Sequence, residues 1–237
     1  MFFRNMRLLL SALCVFTMGA LSAEETNQEE LITLTPAEEA EIQSQRTALM
    51  PAELLKSSGL VASMYHHDDD APYLHRIHTN AYYYPVAVTG NGSKVQLHDA
   101  SVWHVHPYHA EAVRNWVSSD PIFIKPKSSC FSMYQYVLHN RVTQEAVEVN
   151  LAEPPLPTGL YTRWVIGFSG DAYNRIVYLN DNTAWCVNPN DYSYNKWQVG
   201  HRVIIGVNNK WRVTDYPHIL INTNIYGSPY CEADFTY

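Results

Sequence analysis

The residues with the most chemical potential are three closely spaced histidines, His104, His106 and His109. In an extended segment side chains alternate between faces, so His104 and His106 share a face that Trp103 does not. Imidazole nitrogens are good zinc ligands, and a carboxylate from His66-His67-Asp68-Asp69-Asp70 could complete a four-coordinate site. Zinc held there would polarise a substrate and activate water, which is one reading of the chain: a metal-dependent hydrolase. The competing reading is a solvated outer face with no ligand at all. Cys130 follows Pro126-Lys127-Ser128-Ser129, which matches no nucleophile elbow, and reads as a structural thiol. Cys186 and Cys231 both lie in the second half of the chain and are the pair expected to bridge if a disulfide exists. The sequence contains no Gly-rich phosphate loop, Gly-x-Ser-x-Gly or His-Glu-x-x-His. No cofactor is expected, zinc at the histidines being the exception.

A second chemistry is aromatic recognition. The chain has 17 tyrosines and six tryptophans, more rings than a core of this size needs. Tyr82, Tyr84, Tyr108, Tyr192 and Tyr194 are the surface candidates, offering rigid contact area with a polar tip to a protein or a glycan. Nucleic acid is not an expected partner. The net charge is -7, and no basic stripe offsets it.

The elements that must position these groups are written twice. Val95, Leu97, Asp99, Trp103, Val105, Pro107, Trp116, Tyr134, Leu138 and Asn140 recur as Val177, Leu179, Asp181, Trp185, Val187, Pro189, Trp197, Tyr216, Leu220 and Asn222. Two tryptophans, a proline and an asparagine do not return in register by accident, so the chain contains a duplicated unit. The four tryptophans, the two prolines, Asn140 and Asn222 are therefore structural. At the histidine positions the second copy has Cys186, Asn188 and Asp191: the interior repeats while the groups with ligand chemistry do not.

Within each unit, apolar residues alternate in short runs separated by Gly, Asn, Asp and Pro, the pattern of antiparallel strands. Asp99-Ala100 and Asp181-Asn182 connect the two strands of a hairpin, and Pro107 and Pro189 end the second strand because proline cannot donate to a ladder. Five or so strands in about 70 residues predict a small barrel resembling the SH3-like type, with a two-layer β-sandwich as the alternative. The fold class is thus all-β, with tandem barrels over 80–152 and 162–237 joined by a Pro-rich linker at 153–161.

Arg4 and Arg7 precede the apolar run from Leu8 to Leu21, and small residues at Ala20, Ser22 and Ala23 follow. That order is a secretory signal peptide over 1–23. The apolar run is shorter than the roughly 20 residues that cross a bilayer, so no integral span is expected after cleavage. Residues 24–79 read as a leader: an acidic start, a helix over about 36–56 capped by Thr35 and Glu38, and a polar loop.

The repeated pattern, a turn acid followed by Trp-x-Val-x-Pro, a second Trp, a β-branched strand and Tyr-x-x-x-Leu-x-Asn, resembles that of exported repeat proteins of chlamydia-like intracellular bacteria whose role is uncharacterised. The resemblance covers about half of the chain beyond the signal, and it implies a periplasmic, envelope or secreted location with no catalytic set attached. The expected function is a non-enzymatic binding or scaffolding module, with the hydrolase and a glycan-binding module as alternatives.

Overall fold

A computed structural model describes residues 31–33, 35–37, 40, 71–128 and 132–236. The signal segment, most of the leader helix, the His66–Asp70 stretch and Cys130 lie outside these residues.

The chain folds as two antiparallel barrels of the same topology. Barrel one is built from β2 (Pro85–Thr89), β3 (Lys94–Leu97), β4 (Val102–Val105), β5 (Ile122–Pro126), β6 (Tyr136–Asn140) and β7 (Ala146–Glu153). Its sheet runs β2-β3-β4-β7-β6-β5, and a bridge from Tyr83 to Ile122 brings its two ends together. Barrel two uses β8 (Arg163–Gly170), β9 (Arg175–Leu179), β10 (Ala184–Val187), β11 (Arg202–Val207), β12 (His218–Asn222) and β13 (Tyr230–Thr236). It closes fully in the order β10-β13-β12-β11-β8-β9. Substituting β8 to β13 for β2 to β7 turns one order into the other. Register agrees as well: Val95 lies opposite Trp103, and Val177 opposite Trp185. Even the bulge is shared, at Pro85/Ala87 in β2 and Val165/Gly167 in β8.

A buried polar relay explains why the aspartate and the tryptophan recur together. Asp99 Oδ1 accepts from the Ser101 amide (3.0 Å) and hydroxyl (2.6 Å), and Ser101 Oγ accepts from Trp103 Nε1 at 2.9 Å. Asp181, Thr183 and Trp185 repeat the relay at 3.1, 2.6 and 2.8 Å. An indole buried among aliphatic side chains needs a partner for its N–H, and the hairpin turn supplies one. The turn itself places Ala100 and Asn182 in the left-handed region, at φ 66° and 64°, which β-branched residues avoid. Ser101 and Thr183 were not visible as a pair in the sequence because the two residues differ; their hydroxyl is what is kept.

Each tryptophan also has an aromatic lid. Tyr136 meets Trp103 edge-on at 5.7 Å, and His218 meets Trp185 edge-on at 5.0 Å. Trp116 and Trp197 are buried in their own barrels. Trp116 Nε1 donates to Glu145 at 2.9 Å, whereas Trp197 Nε1 has no partner among the described residues.

The barrels join along β5 and β11. Ile122 and Ile124 point into core one, and Val203 and Ile205 into core two, but Phe123 packs in core two and Ile204 in core one. Ile219 and Ile221 of β12 also face core one. Burial on both faces explains why His218–Asn222 is buried without interruption and reads apolar without alternation. The backbones approach so closely that a Cβ on Gly206 would lie 2.5 Å from the Ile124 carbonyl oxygen. Glycine is required there. Where β8 has ended its pairing, the Ile205 amide donates instead to the Tyr83 hydroxyl at 3.0 Å.

Two parts of the leader differ from expectation. Leu31–Ile32, read as part of a polar lead, forms a strand (β1) on the edge of β2, pairing with Thr89 and Val88. The segment read as a loop before residue 79 forms two 3-10 turns, Ala71–Arg76 and Thr79–Ala81. They put Ile77 and Ala81 in core two, and Arg76 donates to the carbonyls of Trp211, Arg212 and Thr214. The signal missed was amphipathic 3-10 spacing, too short to show a period. The expected helix is helical at 36–37 and at 40.

Ser101→Ala leaves the buried Trp103 indole N–H unpaired and should destabilise the fold by about 1–3 kcal/mol in urea unfolding. Ser101→Thr, the residue the second barrel uses, should recover most of that loss.

Candidate functional site

The structure separates the three histidines by role. His104 is exposed on β4, while Trp103 and Val105 on either side are buried. His106 caps the turn Pro107–His109: its Nδ1 accepts the Tyr108 amide at 3.1 Å. Asn188 in barrel two does the same job, its Oδ1 accepting the Asn190 amide at 3.0 Å. The change from histidine to asparagine thus keeps a capping acceptor. His106 and His109 are 5.7 Å apart, ring to ring, and partial burial holds His109 below the usual histidine range. Among the described residues no three His, Cys, Asp or Glu side chains converge to hold a metal ion.

The cysteine pairing is corrected. Cys186 and Cys231 are both free thiols. Cys231 points into core two and is fully buried, whereas Cys186 lies on the outer face between buried Trp185 and Val187. Side chains on opposite faces of a barrel wall cannot meet at disulfide distance. Burial pushes the Cys231 thiol up to about 12, so it stays protonated.

The five surface tyrosines divide as well. Tyr108 and Tyr192 are exposed, on the matching turns after Pro107 and Pro189. Tyr84 is exposed but lies against His98, at 5.7 Å. Tyr82 packs edge-on to Phe123 at 4.9 Å, at the seam between the barrels. Tyr194 stacks on Trp197 at 6.5 Å with the Arg175 guanidinium over its ring at 5.1 Å. Those two are structural rather than free.

Two concavities that both barrels build lie elsewhere, one of them, of about 520 Å³, between Lys125, His139 and Gln144 of barrel one and Asn209 to Val213 of barrel two. The other, a groove of about 430 Å³, is lined by Lys127, Ser132, Tyr134, Gln135 and Tyr136 from barrel one and by Gly227, Pro229 and Tyr230 from barrel two. Its walls are fixed. The Tyr136 hydroxyl donates to the Ser228 carbonyl across the seam, and Tyr136 and Tyr230 rings lie 6.4 Å apart. Lys127 pairs with Glu148, which also accepts from Ser132 Oγ at 2.9 Å. The Lys127 hydrogen bond, with that of Ser132, holds the Glu148 carboxyl below its ordinary range, so the Lys127 on the groove wall is tied to a carboxylate behind it. Asn150 bridges the wall, accepting from the Gln135 amide at 2.9 Å and donating to the Met133 carbonyl at 3.0 Å. Sequence reasoning missed Lys127, Glu148 and Tyr230. Lys127 and Glu148 pair within barrel one and Tyr230 joins them from barrel two, and nothing local in the chain marks them.

A histidine pair, His218 buried and His78 half-buried, packs against Trp185 of barrel two. The His78 amide donates to His218 Nε2 at 2.9 Å, and His78 packs on Trp185 and Phe235 at 5.5 and 4.3 Å. His218 Nδ1 is buried without a partner among the described residues. Burial, reinforced by His78 and Arg76, lowers the pKa of His218 to about 3. Among the described residues no helix is long and apolar enough to cross a membrane.

Comparison with protein-family models, with characterised proteins and with solved structures finds no match.

Because His218 is neutral in the fold but titrates near 6.5 once unfolded, the unfolded chain binds more protons between those values. Stability present above pH 6.5 should therefore fall as pH drops towards 3, with a limiting slope of about 1.4 kcal/mol per pH unit from this residue. His218→Gln, which keeps an acceptor for the His78 amide, should flatten that part of the profile in urea titrations from pH 7 to 5.

Proposed function

We propose that this chain is an exported, non-enzymatic binding module that holds its ligand in the groove between the two barrels. The observation that carries this reading is the groove itself: tyrosine rings, an amide and Lys127, whose ammonium is paired with Glu148, contributed by two bodies locked at one seam. Rigid aromatic contact area flanked by a few oriented polar groups is the chemistry of a recognition surface. Export is supported by Arg4, Arg7, the Leu8–Leu21 run and Ala23, and on this reading the protein works in the periplasm, the envelope or the extracellular space.

The ligand is a protein surface or a saccharide. A glycan has one specific observation in its favour, since Tyr134 and Tyr230 line the groove together with Gln135 and Lys127, the mix of rings and hydrogen-bonding groups that a sugar uses.

The test is capture from native envelope and extracellular fractions, followed by calorimetric titration with the captured protein or with a glycan panel. Tyr230→Ala should weaken saturable binding by about tenfold or more without changing the thermal midpoint by more than a few degrees. Binding indifferent to Tyr230→Ala and Gln135→Ala would overturn the groove as the site. Turnover of an ester or phosphoester that is lost on His106→Ala would overturn the non-enzymatic reading.

A further inference from the structure

The duplication makes each barrel a control for the other, and one difference stands out at a sheet edge. In barrel one, β2 has two neighbours along its outer edge: Tyr83, just before the strand, meets β5 at Ile122, and Val88 and Thr89 pair with Leu31–Ile32. In barrel two the first half of this arrangement is reproduced. Arg163 and Trp164 pair with Val203 and Arg202, and Val165 exchanges hydrogen bonds with His201 and Gly200 at 2.9 and 2.8 Å. The second half is missing. Val95 and Val177 are repeat partners, opposite Val88 and Phe168 respectively, so Phe168 and Ser169 occupy the places of Val88 and Thr89. Among the described residues nothing pairs with their outer edge.

That edge has the properties of a strand acceptor. Unpaired backbone donors and acceptors along β8 lie beside Ile166, 49% exposed, and Phe168, 37% exposed, with Tyr178 of β9 also 37% exposed. An open edge is a template for another chain. The bulge at Val165/Gly167 bends the strand, and Gly170 turns at φ 95°, leaving only a short open stretch about Phe168 and Ser169 between them. This length fits a short added segment, as β2 accepts two residues past the same bulge, and opposes flat edge-to-edge pairing with the β8 of a second copy.

We propose that the edge of β8 at Phe168 and Ser169 is a docking site for a short extended segment of a partner protein, added antiparallel where Leu31–Ile32 lies on β2. The segment carries apolar residues next to the edge, as this chain does in Leu31 and Ile32. The proposal rests on the reading of the chain as a binding module but uses a surface other than the groove.

The probe is a labelled synthetic peptide with the sequence of residues 29–35, titrated by fluorescence anisotropy into the intact protein. Saturable binding to one site is expected, weakened at least tenfold by N-methylating alternate peptide amides, which keeps the side chains and removes backbone donors. Phe168→Lys should weaken it to the same degree in protein whose circular dichroism and melting are unchanged, while Tyr230→Ala should leave it intact. No saturation, or no effect of N-methylation, would overturn strand addition. Undiminished binding to Phe168→Lys would assign the peptide to exchange at β2 and overturn the site. A dimer dissociated by Phe168→Lys would give the edge to a second copy and overturn a partner segment as the occupant. Loss of peptide binding with groove binding retained sinks this site alone, and the reverse sinks the groove alone.

Discussion

Everything in this molecule depends on the close approach of β5 to β11. Each strand sends its even-numbered or odd-numbered neighbours home and one residue away: Phe123 leaves barrel one for core two, and Ile204 leaves barrel two for core one. A barrel of about 70 residues buries a smaller share of its surface unaided than a larger domain does. Here each wall at the seam is shared, so one set of strands is buried on both faces and serves two interiors. Gly206 permits the contact, and the Tyr83 hydroxyl satisfies the Ile205 amide that the end of β8 pairing exposes.

Around this seam the duplicated interior is conservative in chemistry rather than in residue identity within the molecule. Asp99-Ser101-Trp103 and Asp181-Thr183-Trp185 keep a carboxylate, a hydroxyl and an indole. Their electrostatics still diverge. Burial pushes the Asp99 carboxyl up, whereas burial at Asp181 is outweighed by the Thr183 hydrogen bonds and Arg163, whose Nε donates to Asp181 at 2.9 Å. His106 and Asn188 keep an acceptor for a turn amide. Tyr136 and His218 keep an aromatic edge against a tryptophan, but only Tyr136 reaches across the seam, to Ser228.

Much of this was legible from the chain. Trp103, Trp185, Pro107, Pro189, Asn140 and Asn222 recur, and each holds a matching place: Asn140 Oδ1 accepts from the Val142 and Thr143 amides, and Asn222 Oδ1 from that of Asn224. The tandem barrels followed from that register and from strand alternation. The site residues were harder because reactivity is a poor guide where structure uses the same groups. His106 caps a turn, Cys231 fills a core, and Tyr82 packs at the seam. The groove residues Lys127 and Tyr230, and Glu148 that pairs with the first, are far apart in the chain and ordinary in type. Leu31–Ile32 is too short for any periodicity to appear.

The central claim is that two barrels share one interior wall and stand or fall together. Hydrogen exchange of the amides of β4 and β10 in Phe123→Ala measures it directly, since the ring leaves β5 of barrel one but packs in barrel two. Shared burial predicts that protection falls in both strands by the same amount, about 3–5 kcal/mol for a buried phenylalanine truncated to alanine. Loss confined to β10, with β4 protected as before, would show two independent bodies and contradict the account.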